Sequence, residues 1–500
     1  WERPLVGREN ELDLLLGGMD AALRGVGGAV AVSGGTGVGK SRLMAAGVRH
    51  WLANDGLGLI GVCYPHTADT PYSPWRDVWR EYFGLTDGMS VDQQVQAVVT
   101  QTRLLLPDIG EDVGLWQELL GLPMPQASAL GELTAEARQV RLFSLVRRCC
   151  QAIAAQKPLL VVLEGLQWAD QASLALLDDL GGHLDVAAIF LAFTYRSRNS
   201  VALEILERPS CIPIPLVDLS PTSARQLLSQ LIGASELPQA VEQHLGMRDR
   251  EGRDSPVNPL FLEEALNVMV GAGVLQVNGR VLVDEVELAR MQVPDTIHGL
   301  LLARLDRLPP AGRDLLQVAS VIGRQFSAEP LQAIAETPTQ QTVLNLLSEL
   351  SESEMTRLIT ADPEWIYLFQ HAMTHEVAYE SLPYARRRQL HAAVARWLAT
   401  KYENNLKPLH SVLAYHYSRA DNHASAVKYA ILAADEARNI FANREAVDLY
   451  NLAEAHLNVV QAETGWETAV HLYLSRGAVY ILLGEQSLAF ADAERALELA

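Results

Sequence analysis

The residues predict a multidomain chain: an α/β core with a parallel sheet, a helical lid, a unit of three helices and a hairpin, and an all-α region of repeats. Three observations predict it. Short β-rich apolar runs alternate with long helical stretches up to about Leu219, the signature of a parallel sheet covered by helices. A glycine-rich loop, Gly34-Gly35-Thr36-Gly37-Val38-Gly39-Lys40-Ser41, joins the first apolar run to a helical pattern. Everything from Arg386 onward is helical and rich in Ala, Leu and Tyr.

Taken in order, the core covers residues 1–219, with strands at Ala29–Ser33, Leu57–Val62, Leu159–Glu164, Ala188–Thr194 and Ile212–Leu216. A mostly helical insertion, 65–157, opens rich in Trp and Pro (Pro71, Pro74, Trp75, Trp79) and suggests no chemical role of its own. Residues 220–292 read as a lid. Ser220-Pro221 starts its helices, and a hairpin of 274–277 and 280–283 is joined by Asn278-Gly279, a favoured two-residue turn. Residues 293–385 give helices near Ile297–Leu308, Arg313–Ile322 and Thr342–Leu350. Apolar runs at Arg357–Thr360 and Trp365–Phe369 then flank Ala361-Asp362-Pro363, the winged-helix pattern. In 386–500, Gly477, Tyr480, Gly484, Ala489 and Ala496 fall at positions 8, 11, 15, 20 and 27 of a 34-residue tetratricopeptide unit. The Ala pairs 446/453 and 426/433 repeat the seven-residue spacing upstream.

Composition narrows the function. At 49% hydrophobic and 20% charged, 500 residues suffice for three or four domains. A net charge of -20 opposes attraction to nucleic acid phosphates or anionic lipid, so neither direct nucleic acid binding nor membrane association is expected. Cys63, Cys149, Cys150 and Cys211 have no CxxC spacing, which points to reduced thiols in a cytoplasmic protein. The longest apolar runs fall far short of a membrane span. Opening on Trp1 and stopping at Ala500 inside a helical pattern, the sequence reads as a piece of a longer polypeptide whose effector lies outside it.

The strand–loop–helix setting gives the glycine-rich loop its meaning. Gly34, Gly37 and Gly39 allow backbone N–H groups to turn toward phosphate oxygens, and the following helix adds its positive dipole end. Lys40 is expected to reach the β- and γ-phosphates of ATP or ADP, and the Ser41 hydroxyl to ligate Mg²⁺. The nucleotide-binding set therefore runs through Gly35, Thr36, Val38 and on to Arg42. A second acid at a strand end is needed for the metal. Glu164, closing Leu159-Leu160-Val161-Val162-Leu163, is a carboxylate with no packing reason to end a buried strand.

Three segments carry a family resemblance: Pro4-Leu5-Val6-Gly7-Arg8-Glu9-Asn10-Glu11-Leu12, Leu163-Glu164-Gly165-Leu166-Gln167-Trp168-Ala169-Asp170, and Asn258-Pro259-Leu260-Phe261-Leu262-Glu263-Glu264. Together they resemble the STAND class of signalling NTPases. The nearest likeness is to the AAA-type module found beside class III adenylyl/guanylyl cyclase domains, in some protein kinases and in large LuxR-type regulators. The stretch from Phe369 to Leu382 looks most like the cyclase-associated branch. The resemblance implies that Val6 and Arg8 border the base, that Pro259 packs on the adenine, that Arg196 is the sensor arginine facing the γ-phosphate, and that His371 senses the bound diphosphate. Two departures stand out. Gly165 occupies the place of the second acid that positions the attacking water, so hydrolysis is expected to be slow or absent unless Asp170 substitutes. Val257 replaces a glycine before Asn258-Pro259.

Two readings follow. One is a nucleotide-gated signalling switch that regulates an effector in cis or through self-association, with a protein partner or small-molecule inducer on the repeats. The other is a nucleotide-stabilised scaffold without switching. The only tight basic cluster, Arg386-Arg387-Arg388, reads as a solvated helix start rather than a DNA-reading element.

Overall fold

The computed structural model describes residues 5–86, 88–125, 130–184, 187–196, 203–232, 238–248, 251, 253–277, 281–290, 294–335, 339–361, 364–403, 405–460 and 465–500. The expected turn at 278–279, Pro4 of the first motif and the 362–363 turn lie outside them.

Five strands, β1 (Gly28–Gly34), β2 (Leu57–Val62), β3 (Leu159–Glu164), β4 (Ile189–Tyr195) and β5 (Cys211–Leu216), form one sheet in the order β2-β3-β4-β1-β5. Every pairing in it is parallel, as the alternation with helices predicts. Because side chains alternate faces along a strand, Val30, Val32, Leu160, Val162, Phe190 and Ala192 share one core with Leu15, Met19, Leu43 and Trp51 of the helices Glu9–Leu23 and Lys40–Ala53. The intervening residues, Ala29, Ala31, Val161, Leu163, Leu191 and Phe193, face the opposite core.

That opposite core contains the insertion, to which the sequence assigned no role. Helices Ser73–Tyr82 and Ala135–Ala154 bring in Trp75, Trp79, Leu142 and Val146, and Trp79 lies 4.6 Å from Trp116 between ring centroids. The same hydrophobic cluster runs on into Ala426, Ala430, Ala446 and Tyr450 of the repeats, so the insertion is the mortar between sheet and repeats.

The lid has its own core of Leu227, Leu228, Val241, Leu245, Leu262, Ala265 and Met269, with the short hairpin β6 (Leu275–Val277) and β7 (Val281–Val283). The winged-helix unit holds helices Pro310–Ile322, Ala328–Ile334 and Gln340–Glu352 beside an antiparallel sheet of β8 (Gln325–Ser327), β10 (Ile366–Phe369) and β9 (Thr356–Thr360), in the order β8-β10-β9. The helix Ala328–Ile334 and strand β8 are too short for a periodic signal and escaped the sequence reading. Helix Tyr384–Lys401 crosses the expected boundary at 385/386, because Leu390 and Val394 pack into the winged-helix core.

The repeats are antiparallel helices: His410–Arg419, His423–Asn439, Asn443–Val460, Trp466–Leu482 and Gln486–Leu499. A Cβ at Gly477 would sit in ordinary contact, 3.5 Å from the carbonyl of Ala489, so the two helices run close together at that crossing. Gly484 makes the turn with φ 76°, a conformation natural to glycine. Arg476 holds Asp492 through two bonds of 2.8 and 2.7 Å and Glu454 at 2.6 Å, tying three consecutive helices with a buried guanidinium. Among the described residues no helix is long and apolar enough to cross a membrane, and all four cysteines are buried free thiols.

Candidate functional site

Strand β1 ends at Gly34, and the chain turns through Gly37 (φ 82°) and Gly39 (φ 101°) before helix Lys40–Ala53 begins. The positive φ values are easy only for glycine. At Gly37 space forbids a side chain as well, since a Cβ would come within 2.6 Å of the Asn258 Oδ1. A Cβ at Gly39 would meet nothing within 4 Å, so the loop is open there. It presents backbone N–H groups and a 14-residue helix's positive end to the same space, the arrangement that holds phosphate.

The strand order assembles the remaining charges. β4 lies between β1 and β3, with Tyr195 in register with Ser33 and Phe193 with Leu163. Arg196, one residue past β4, therefore stands at the carboxyl edge of the sheet between the phosphate loop and Glu164, where ligands of open α/β sheets bind. The Ser41 hydroxyl is 3.5 Å from Glu164 Oε2. Lys40 Nζ donates to the carbonyls of Gly34 at 2.8 Å and Gly35 at 2.7 Å, holding the ammonium across the loop. Burial and the Arg196 charge bring the Lys40 pKa down to about 8, with Glu164 opposing them. Lys40, Ser41, Glu164 and Arg196 are thus one electrostatic group.

No set of three His, Cys, Asp or Glu side chains among the described residues makes a metal cage. The hydroxyl and carboxylate present fit Mg²⁺ instead, which keeps waters and shares its octahedron with phosphate oxygens. When bound, the ion would neutralise charge on those oxygens; Ser41 would hold it, and Glu164 would orient its shell.

The lid closes one side. Asn258 donates to the Thr36 carbonyl at 3.0 Å and caps helix Pro259–Gly271 through the N–H of Leu260 at 3.0 Å, which seats buried Pro259 beside the loop. Arg42 pairs with Glu263 at 2.6 Å. Arg8, only 4% exposed, donates to the Val38 carbonyl at 3.1 Å and to that of Val217, pinning the loop to the end of β5. Val6 packs in the lid core. Val257, where a glycine was the expectation, is buried and exchanges backbone bonds with Leu219 of 2.9 and 3.1 Å.

The winged-helix unit closes the other side. Glu376, on helix Ala372–Glu380, pairs with Arg196 Nη2 at 2.5 Å. Arg357 of β9 lies within the field of Glu164, and Tyr64 within that of Arg324. A Cβ at Gly323 would touch His66 Cε1 at 3.3 Å, and His66 stacks on Tyr64 with ring centroids 5.4 Å apart. His371 caps helix Ala372–Glu380 from the end of the hairpin rather than sitting within it, and its side chain makes no capping bond.

One candidate falls outside the group. Asp170, 2% exposed, accepts from Tyr72 N at 2.9 Å, Ser173 N at 2.8 Å and Ser173 Oγ at 2.7 Å, so its carboxylate is spent as the cap of helix Gln171–Gly181. It is a structural acid rather than a substitute for the missing water-positioning group. Asn258, Glu263 and Glu376 are neighbours of the candidate site that the sequence reading left without roles, although all three lie inside its motif segments. Arg324 and Arg357 carry no sequence signal, because only the winged-helix docking brings them to the site.

Residues 4–192 match the AAA ATPase domain family. An uncharacterized protein of Rhizobium meliloti (strain 1021) is 24% identical over 99% of the chain, which spans only 47% of that relative's length. Among solved structures, a Pyrococcus horikoshii signal transduction ATPase with numerous domains (STAND) bearing a tetratricopeptide repeat sensor aligns over 100% of this chain and 65% of its own, at 13% identity and TM-score 0.45. The Drosophila ORC bound to DNA aligns over 75% of this chain and 87% of its own, at 13% identity and TM-score 0.32. The chain thus joins an α/β core with a phosphate loop, whose residues 4–192 match the AAA ATPase domain family, to an all-helical region of tetratricopeptide-like repeats.

Proposed function

We propose that the chain is a STAND-type signalling switch that exchanges ADP for ATP, hydrolyses slowly or not at all, and controls an effector outside these residues. The observation that carries the reading is the Arg196–Glu376 pair of 2.5 Å. Arg196 sits beside Lys40, where a γ-phosphate would draw it, yet its guanidinium is held by the winged-helix unit. A third phosphate competes with Glu376 for the same donor; a diphosphate does not. ATP therefore disfavours the docked winged-helix unit and ADP tolerates it, which is the unequal affinity a two-state element requires. His371, five residues before Glu376, would add a contact to the terminal phosphate of ADP. The lid, bonded to the loop through Asn258 and to helix Lys40–Ala53 through the Glu263–Arg42 pair, stays with the core. The large LuxR-type, kinase and cyclase settings of similar modules supply the classes of effector; the motif resemblance supports them.

Small-angle scattering of the chain with Mg²⁺ and ADP, then with Mg²⁺ and a non-hydrolysable ATP analogue, tests the proposal. The radius of gyration is expected to rise with the triphosphate. Equal radii with both nucleotides bound would overturn the switch and leave a nucleotide-stabilised scaffold.

A further inference from the structure

A cavity of about 370 Å³ lies between the insertion and the repeats, and it shares no residue with the phosphate loop. Arg76, Glu118 and Arg138 form its wall on the insertion side, and Lys407, Ser411 and Glu436 face them from the repeats. The seam is bridged directly by Thr70 Oγ1 and Ser411 Oγ at 2.6 Å and by Arg138 Nη2 to the Asn439 carbonyl at 2.5 Å. Its volume is at the lower end for small-molecule sites, which suits a metabolite rather than a nucleotide.

The charges on its walls are unevenly satisfied. Glu118 is paired with Arg138 at 2.6 Å, and Glu436 with His410 at 3.0 Å. Arg76 uses Nε on the Leu119 carbonyl at 3.2 Å, and no carboxylate among the described residues pairs with its guanidinium. Burial is the main influence on that guanidinium and works against its charge. Lys407 and Asp69, both exposed at the rim, likewise have no ion pair among the described residues. Arg76 is half-buried, and its one printed bond, to the Leu119 carbonyl, leaves guanidinium donors over for a ligand, while Asp77, Asp170 and Glu436 lie near enough to favour its charge. Two unpaired cations and one unpaired carboxylate on the walls of one cavity form a recognition pattern, with Leu115, Leu130, Ile440 and Leu449 supplying apolar surface.

We propose that this cavity binds a small zwitterion of amino-acid size, its carboxylate on Arg76 with Lys407 at the rim, and its ammonium on Asp69. The planar guanidinium offers two parallel N–H donors matched to a carboxylate. The bound molecule touches insertion and repeats at once, so it stabilises their contact. Its role as an input signal rests on the switch reading, but binding itself does not.

The test is calorimetry on the nucleotide-free full chain with each of the twenty amino acids in turn, and with inorganic phosphate. At least one amino acid is expected to bind. Arg76→Met should weaken that ligand about ten- to a hundredfold, in line with loss of charge-assisted bonds. Lys407→Glu, on the exposed rim where folding is not at risk, should weaken it severalfold. Binding of phosphate without any amino acid would overturn the zwitterion assignment. Heats absent for all amino acids at millimolar concentration, or affinities unchanged in both variants, would overturn the site. Because nucleotide is left out, failure here is separable from failure of the switch, which is read by scattering with nucleotide bound.

Discussion

Glu445, on a repeat helix, accepts the backbone N–H of Ala172 at 2.9 Å, so a carboxylate from the repeats caps the same core helix that Asp170 caps from within. Both acids are buried, and burial outweighs the helix's positive end: the carboxyl of Asp170 is pushed up to about 6 and that of Glu445 to about 7. A raised acid pKa in the docked state means docking takes up protons. The contact is strongest below the ordinary carboxylate pKa of about 4, weakens as pH rises from there to about 7, and is level above it. Glu445→Gln keeps an acceptor for Ala172 without the charge. It is expected to flatten this dependence and raise the melting temperature at pH 8 by roughly 2 °C, as scanning calorimetry between about pH 4 and 8 would show. A variant no more stable than the parent at pH 8 would remove Glu445 as the cause.

Acid should act at the opposite seam. Burial lowers the pKa of His66 and His375 to about 4, and that of His391 to about 3. These rings lie where core, winged-helix unit and repeats meet: His375 Nε2 donates to the Ser320 carbonyl at 2.9 Å, and His391 shares a 2.9 Å bond with His416. Histidines held neutral favour the closed form above their ordinary pKa of about 6.5 and lose that contribution as pH falls below it. Limited proteolysis of the winged-helix junction should therefore accelerate between pH 6.5 and 5. A flat rate across that interval would show that the rings do not gate the junction.

The Arg196–Glu376 pair can be released without touching the nucleotide. Its side chains are 30% and 34% exposed, so the bond is worth at most about 1 kcal/mol. Glu376→Gln is expected to shift the preference toward ATP over ADP by up to about fivefold, measured by competition for a fluorescent nucleotide. No change in preference would mean that Arg196 does not answer to the γ-phosphate.

Lys40→Ala removes the ammonium that spans Gly34 and Gly35 while leaving the helix start in place. Calorimetric ATP binding should vanish with the fold intact. Affinity retained within about threefold, or ~0.7 kcal/mol, would sink the phosphate-loop assignment. His371→Ala is expected to weaken ADP more than ATP, by roughly tenfold or more for a charge-assisted bond, and to expand the ADP form in scattering.

Gly165 has φ 77°, and a Cβ there would meet the Cys63 carbonyl at 3.3 Å, so any side chain at this position costs about 1 kcal/mol of stability. With no acid in that place, turnover of ATP should stay well under ~1 s⁻¹. Gly165→Asp is expected to raise turnover at that cost in stability, since Asp tolerates the left-handed region better than most residues. Brisk turnover by the unmodified chain, in a steady-state phosphate-release assay, would show that another group positions the water.

What the sequence determined by itself is local. The five core strands, the glycine-rich loop, the acid closing β3 and the Gly477/Ala489 crossing were all legible, because each depends on periodicity or on a backbone conformation that neighbouring residues impose. Residues far apart in the chain needed the tertiary structure. Asp170 looked like a spare catalytic acid until folding placed Tyr72 and Ser173 on its oxygens. The insertion looked chemically silent until it proved to be the core shared by sheet and repeats. Arg196 was named by the family resemblance, but its partner is 180 residues away on a separately cored unit. Strand order decides which charges meet at the sheet edge, and domain docking decides which are already paired; neither is encoded in the spacing of residues along the chain.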